Sequence, residues 1–193
     1  MSKLHEIERE LHANHPALFA DFANQSLGKS AQIIEDAVVA MQKRDWIVAG
    51  IRGQIVSGLR GQHADSIGNG SRNYKVAPSS HSPANKALHA VGLAISSKRP
   101  VLCILGESAV GQGTLWEAFN IAALHTVPVC FLVIRPDLQS APLAKQSAGS
   151  VMESATSLGI ASVQVSPEQV ASVVERFRAN EHAGPCVMEV HVS

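Results

Sequence analysis

The sequence has no charge bias: 16 Lys and Arg stand against 16 Asp and Glu over 193 residues, a formal net charge of zero. Such a chain lacks the basic field that nucleic acid or an anionic membrane surface selects, so neither is an expected partner. Cysteine is scarce and shows no CxxC spacing: Cys103, Cys130 and Cys186 fall singly in or beside apolar runs. They read as buried core thiols in a reducing compartment rather than as disulfides or metal ligands. No apolar stretch exceeds eight residues, too short to cross a bilayer. The first residues, MSKLHEIERELHANHP, are charged and polar and contain no signal-peptide core, so a cytoplasmic protein is expected. G-x-G-x-x-G is absent, which disfavours a nicotinamide-type βαβ unit. No internal repeat and no interdomain linker are visible. What remains is a compact α/β chain with 46% hydrophobic residues and an ample core. Residues 1–29 are expected as a helical extension and 30–193 as one domain.

Apolar patterning places the elements. Helices are expected over 3–13, 30–43, 84–97, 113–126, 147–158 and 167–179, and the stretch 45–61 as helical or mixed. VLCIL (101–105) and VPVCFLVI (127–134) are short, continuous and rich in β-branched residues, as in strands buried on both faces of a parallel sheet. Further strands are expected at 160–165 and 186–192. Strands alternating with helices give an α/β fold with a mainly parallel central sheet and helices on both faces. Residues 62–83 (QHADSIGNGSRNYKVAPSSHSP) are expected as a long loop, either functional or a solvated surface segment. The same two readings hold for its histidines, His63 and His81.

Residues 106–136 carry the chemistry. Gly106, Gly111 and Gly113 punctuate a loop between a strand and an amphipathic helix whose stripe is Leu115, Ala118, Phe119, Ala122 and Ala123. Glycines let a ligand approach the backbone, and a helix N-terminus favours an anion, so the loop can cradle phosphate. An ordinary strand–loop–helix connection has the same glycine content, and spacing alone leaves both readings open.

The segment resembles the thiamine-diphosphate motif of the 2-oxo acid dehydrogenase alpha subunits, the dehydrogenase E1 component family. Members read GDG or GEG, a short loop, EG or QG, a helix EAxNxAA, and a Pro-led strand ending in NN. Here Gly106-Glu107, Gln112-Gly113, Glu117-Ala118, Asn120, Ala122-Ala123 and Pro128 match in spacing. DWIVAGIRGQIVSGLRG (45–61), SSHSPANKALHAVGLAISSK (79–98) and GPCVMEVHV (184–192) resemble other family segments in collinear order. The resemblance implies a thiamine-diphosphate-binding fold with magnesium bridging the diphosphate. It implies cofactor contacts from Arg52, Gly106, Glu107, Ser108, Gln112, Gly113 and the Arg135 position, with Glu107 as metal ligand. His81, beside the helix expected to line the cofactor cleft, is the candidate catalytic residue. The implied partners are a second copy of the chain or a beta-subunit-like chain, which in the family supplies the glutamate that activates the cofactor.

Departures from the pattern are concentrated at the metal. Arg135-Pro136 stand where the family has NN, and a guanidinium has no acceptor with which to bind magnesium. Ser108 replaces a glycine, Gly111 a polar loop residue and Ile51 a tyrosine, although Arg52 is retained. Binding of thiamine diphosphate and magnesium is therefore expected to be weak or lost. Two functions follow. One is a diverged relative that keeps the fold, lacks catalysis alone and acts in binding or assembly. The other is a genuine subunit of a thiamine-diphosphate-dependent 2-oxo acid dehydrogenase or decarboxylase, completed by a beta-like chain, where the protein supplies orientation and electrostatics. Arg135 is expected to turn towards Glu107 in a charge-assisted hydrogen bond, leaving no metal in the cleft; the alternative points it to solvent. Trp116, beside the helix stripe, is expected either in the core or as the anchor of an at least dimeric assembly.

Overall fold

The computed structural model describes residues 2–14, 27–50, 53–62, 71–78, 82–136, 145–181 and 184–192. The expected strands are all present, in one sheet. It comprises β1 (Trp46–Val48), β2 (Val101–Gly106), β3 (Val129–Pro136), β4 (Ala161–Val165) and β5 (Cys186–Val192), in the order β1-β2-β3-β5-β4. Every pairing is parallel, and β2 meets β3 in the register Val101↔Val129 to Gly106↔Ile134.

Helices cover both faces. On one lie α1 (Lys3–Asn14), α2 (Ser30–Ala40), α3 (Gly53–Leu59) and α8 (Val170–Arg176), which pack on Leu102, Ile104, Cys130, Leu132 and Met188. On the other lie α4 (Asn85–Ser97), the single turn α5 (Glu107–Val110), α6 (Gly113–Leu124) and α7 (Val151–Ser157), against Val101, Cys103, Phe131, Val133 and Val187. Side chains alternate along each strand, so every central strand contributes to two cores and must be apolar throughout. The α1 helix belongs to the first core: Leu4 and Leu11 are fully buried, and Glu35 and Glu8 accept backbone N–H bonds from Leu4 (3.1 Å) and Leu27 (3.0 Å).

Three expectations change in detail. The stretch 45–61, read as helical or mixed, opens with a strand, β1, before α3. The expected loop 62–83 contains an ordered turn at 71–78, in which Ser71 and Val76 pair and Val76 bridges to Ile47. The helix expected from 147 begins at Val151, where the Ser150 hydroxyl accepts the Glu153 N–H at 3.3 Å and caps it. All three cysteines are free and buried, as expected. Burial pushes the Cys103 thiol up to about 12. A hydrogen bond with the Cys186 thiol, then burial, raises Cys130 well above the usual thiol range. Thiols held in this state are inert nucleophiles. Among the described residues no helix is long and apolar enough to cross a membrane.

Candidate functional site

Three neighbouring strands end in charge. Glu107 follows β2 directly, Arg135 is the seventh residue of β3, and Glu189 and His191 lie on β5, where Arg135 is in register with His191. Arg135, Glu189 and His191 share the α6 side of the sheet, because residues two apart on a strand point the same way, and Glu107 meets Arg135 from the start of α5. The carboxyl ends of parallel strands are where α/β folds place ligand sites.

The cluster is buried: Glu107 is 8% exposed, and Arg135 and Glu189 are each 5% exposed. Arg135 turns towards Glu107, as the sequence led us to expect. Its Nε donates to Glu107 Oε2 and its Nη2 donates to Oε1 at 3.0 Å, a bidentate fork on one carboxylate. The Gln146 backbone N–H donates to the same Oε1 at 2.9 Å. Burial alone would push the Glu107 carboxyl up. The Arg135 hydrogen bond, the Gln146 N–H and the nearby charges of Arg135 and His191 outweigh it and hold the group below the usual carboxylate range. The bond to Glu107 raises Arg135 above its ordinary value, against burial. Arg135 Nη1 lies 3.6 Å from Glu189 Oε2, an ion pair beyond hydrogen-bond reach. Glu189 Oε1 is 2.6 Å from His191 Nε2, while its buried Oε2 has no hydrogen-bond partner among the described residues.

The glycine-bearing loop is braced by Gln112 rather than left open. The Gln112 Oε1 accepts from Ser82 Oγ (3.0 Å) and the Ala84 N–H (3.3 Å), and its Nε2 donates to the Ser108 carbonyl at 3.1 Å. These bonds tie the start of α4 to the α5 turn. Gly111 has a local reason to be glycine: a Cβ there would stand 2.6 Å from the Gln146 carbonyl oxygen. Gly106 and Gly113 carry no such constraint, since nothing lies within 3.4 Å of a Cβ at either. Ser108 is exposed on the α5 turn.

Of the residues singled out in sequence, Gly106, Glu107, Ser108, Gln112, Gly113 and Arg135 come together at this end of the sheet. Arg52, His81 and His63 lie outside the described residues, as does Asp137 beyond the strand end. Trp116 is half-buried, its ring set edge-on against Phe119 at 5.8 Å and 87°. Glu189, His191 and Gln146 were not anticipated. The first two left a signal: charged and polar residues interrupt CVMEVHV two apart, on the face that Arg135 shares. A backbone donor such as that of Gln146 leaves none.

Among the described residues the donor set does not fit a magnesium-bridged diphosphate. Magnesium takes hard oxygen ligands in a near-ideal octahedron. Here both Glu107 oxygens are engaged by a guanidinium, and the amide of Gln112 is committed to Ser82, Ala84 and Ser108. Among the described residues no group of three His, Cys, Asp or Glu side chains is arranged to hold a metal ion.

Comparison with known proteins places this geometry. The chain is 31% identical over 127 residues to 3-methyl-2-oxobutanoate dehydrogenase subunit alpha of Mycobacterium tuberculosis, in two strains, covering 58% of this chain and 34% of each relative. It thus spans about a third of the length of the curated relatives it matches. Among solved structures it resembles a Mycobacterium smegmatis protein described as a thiamin diphosphate-dependent enzyme, with TM-score 0.63 and 16% identity over 84% of this chain and 31% of that one. Benzoylformate decarboxylase from Polynucleobacter necessarius matches with TM-score 0.60 and 16% identity over 83% of this chain and 32% of that one. At those identities the likeness is one of fold. The family model described as "Dehydrogenase E1 component" matches residues 37–192, from the middle of α2 through the last strand. Spanning most of the sequence and the whole sheet, that match shows that the chain belongs to the dehydrogenase E1 component family.

Proposed function

We propose that this chain is a diverged relative of the alpha subunits of 2-oxo acid dehydrogenases, keeping the diphosphate-domain fold without catalysis of its own. It acts as a binding or assembly module, with a second copy or with a beta-subunit-like chain. The observation that carries this reading is the Arg135 guanidinium bound in fork fashion to Glu107. A divalent ion at Glu107 would have to displace a fixed cation from a buried carboxylate. Removing one partner from such a pair leaves an uncompensated charge and costs about 3–5 kcal/mol. Against that cost, the amide that would reward the metal is absent.

Calorimetric titration with thiamine diphosphate and magnesium tests the reading. The expected result is no saturable binding tighter than ~1 mM, equivalent to about −4 kcal/mol. Submillimolar, magnesium-dependent binding would overturn it. The double variant Ser108→Gly with Arg135→Asn, which restores the family residues, is expected to bind more tightly than the unaltered chain.

The second reading, a working subunit of a thiamine-diphosphate-dependent 2-oxo acid dehydrogenase or decarboxylase, is favoured by one feature. Glu107, the carboxylate that the family resemblance assigns to the metal, is retained. It requires the missing ligands to come from a beta-like chain. The same titration with such a chain present separates the two: cofactor uptake only in the mixture supports this second reading.

A further inference from the structure

Two of the three cysteines stand side by side. In the parallel register of β3 and β5, Cys130 is the direct partner of Cys186. Both side chains enter the core packed by α2 and α8, whereas Cys103 on β2 points into the opposite core. The two thiols hydrogen-bond to each other, and neither is engaged in a disulfide. Neighbouring strands run about 4.8 Å apart, inside the roughly 4.4–6.8 Å between Cα atoms that a disulfide spans. Cys186 is the first residue of β5 and is 5% exposed, while Cys130, the second residue of β3, is fully buried.

We propose that Cys130 and Cys186 form a dithiol switch, which a peroxide oxidises to a disulfide tying β3 to β5. The Cys186 sulfur attacks one peroxide oxygen; the O–O bond breaks, water leaves, and Cys186 becomes a sulfenic acid. The Cys130 sulfur then attacks the Cys186 sulfur. The S–O bond breaks, and the hydroxyl leaves with the Cys130 proton as a second water. Two thiols and one peroxide thus give one disulfide and two waters, with two electrons passing from the sulfurs to the peroxide oxygens. The raised Cys130 thiol is a poor nucleophile towards a dissolved oxidant. It suits the second step, where the sulfenic sulfur already lies against it and the attack is intramolecular. Cys103, alone on the other face of the sheet, has no neighbouring thiol to close such a bond. The bridge ties the two strands ahead of Arg135 and Glu189, and the chemistry is independent of whether the cofactor binds.

Peptide mapping of the full chain after exposure to hydrogen peroxide, in buffer without denaturant, tests it. Remaining thiols are alkylated before digestion. The expected result is a fall from three free thiols to one, with a single linked peptide pair joining Cys130 to Cys186 and Cys103 alkylated. Dithiothreitol should restore all three thiols, and Cys103→Ala should form the same bridge. Three thiols allow three different bridges, so selectivity for this pair separates the folded register from chance encounter in an unfolded chain. A bridge to Cys103, a bridge that appears only after urea is added, or three thiols that all survive the peroxide would each overturn the proposal.

Discussion

The central strands are packed by apolar side chains over most of their length, while Glu107 just after β2, Arg135 near the end of β3 and Glu189 on β5 form a charged cluster towards the carboxyl ends. The two regions hold together by different physics. In the middle, Phe131 of β3 meets Phe119 of α6 with ring centroids 4.8 Å apart at 61°, and both are fully buried. That contact is non-directional burial plus an edge-on ring preference, and other shapes of the same volume would serve it. At the carboxyl end, stability depends on which atom faces which. Two carboxylates and one guanidinium are withdrawn from water, and only their mutual geometry offsets the desolvation. The middle can drift in sequence while keeping the fold. The end cannot change one charge without changing another.

The largest effect should come from the middle. Phe131→Ala removes the ring that fills the space between β3 and α6, and is expected to destabilise the protein by about 4 kcal/mol in urea unfolding. A loss below ~2 kcal/mol would mean that α6 collapses onto the sheet to fill the gap, and that this core is less rigid than its packing implies.

The carboxyl end should come next. Glu107→Gln leaves Arg135 buried with only the ion pair to Glu189 at 3.6 Å, and is expected to cost about 3 kcal/mol by the same measurement. Equal costs for Glu107→Gln and for an exposed control such as Glu117→Gln would show that Arg135 simply swings to solvent. The contrast between the two regions would then fail.

How far each region is legible in sequence follows from the same contrast. The central strands announce themselves because burial on both faces demands unbroken apolar runs such as VLCIL and VCFLVI. β1 does not: Trp46–Val48 is three residues long, and its strand state depends on β2 and on the 75–77 backbone, which lie far away in sequence. The Arg135–Glu107 pair was readable because family register sets the two positions side by side. The Gln146 contact was not readable, because it uses a backbone N–H. Only Gly111, opposite the Gln146 carbonyl, hints that a segment crosses there.

The smallest effect on stability, and the most discriminating, belongs to the paired replacement Glu107→Leu with Arg135→Met. Removing both partners of a buried ion pair for apolar residues of similar volume is often neutral. Here Glu189 also loses its ion pair with Arg135 and keeps only His191, so the net change near neutral pH should be a loss, but one smaller than that of Glu107→Gln alone. The acid limb should nonetheless differ. Glu107 is held below the usual carboxylate range in the folded protein, so the unfolded chain binds the extra proton first as pH falls. Its contribution is complete above the unfolded value of about 4.3 and is lost as pH drops through the lower folded value. Urea midpoints followed downward from about pH 6 should therefore fall more steeply below ~4.3 for the unaltered chain than for the pair variant. Parallel curves would assign the acid sensitivity to other carboxylates and remove Glu107 from the account. A pair variant as damaged as Glu107→Gln alone would show instead that the ion pair specifies the fold of this end of the sheet, rather than standing in for a lost metal.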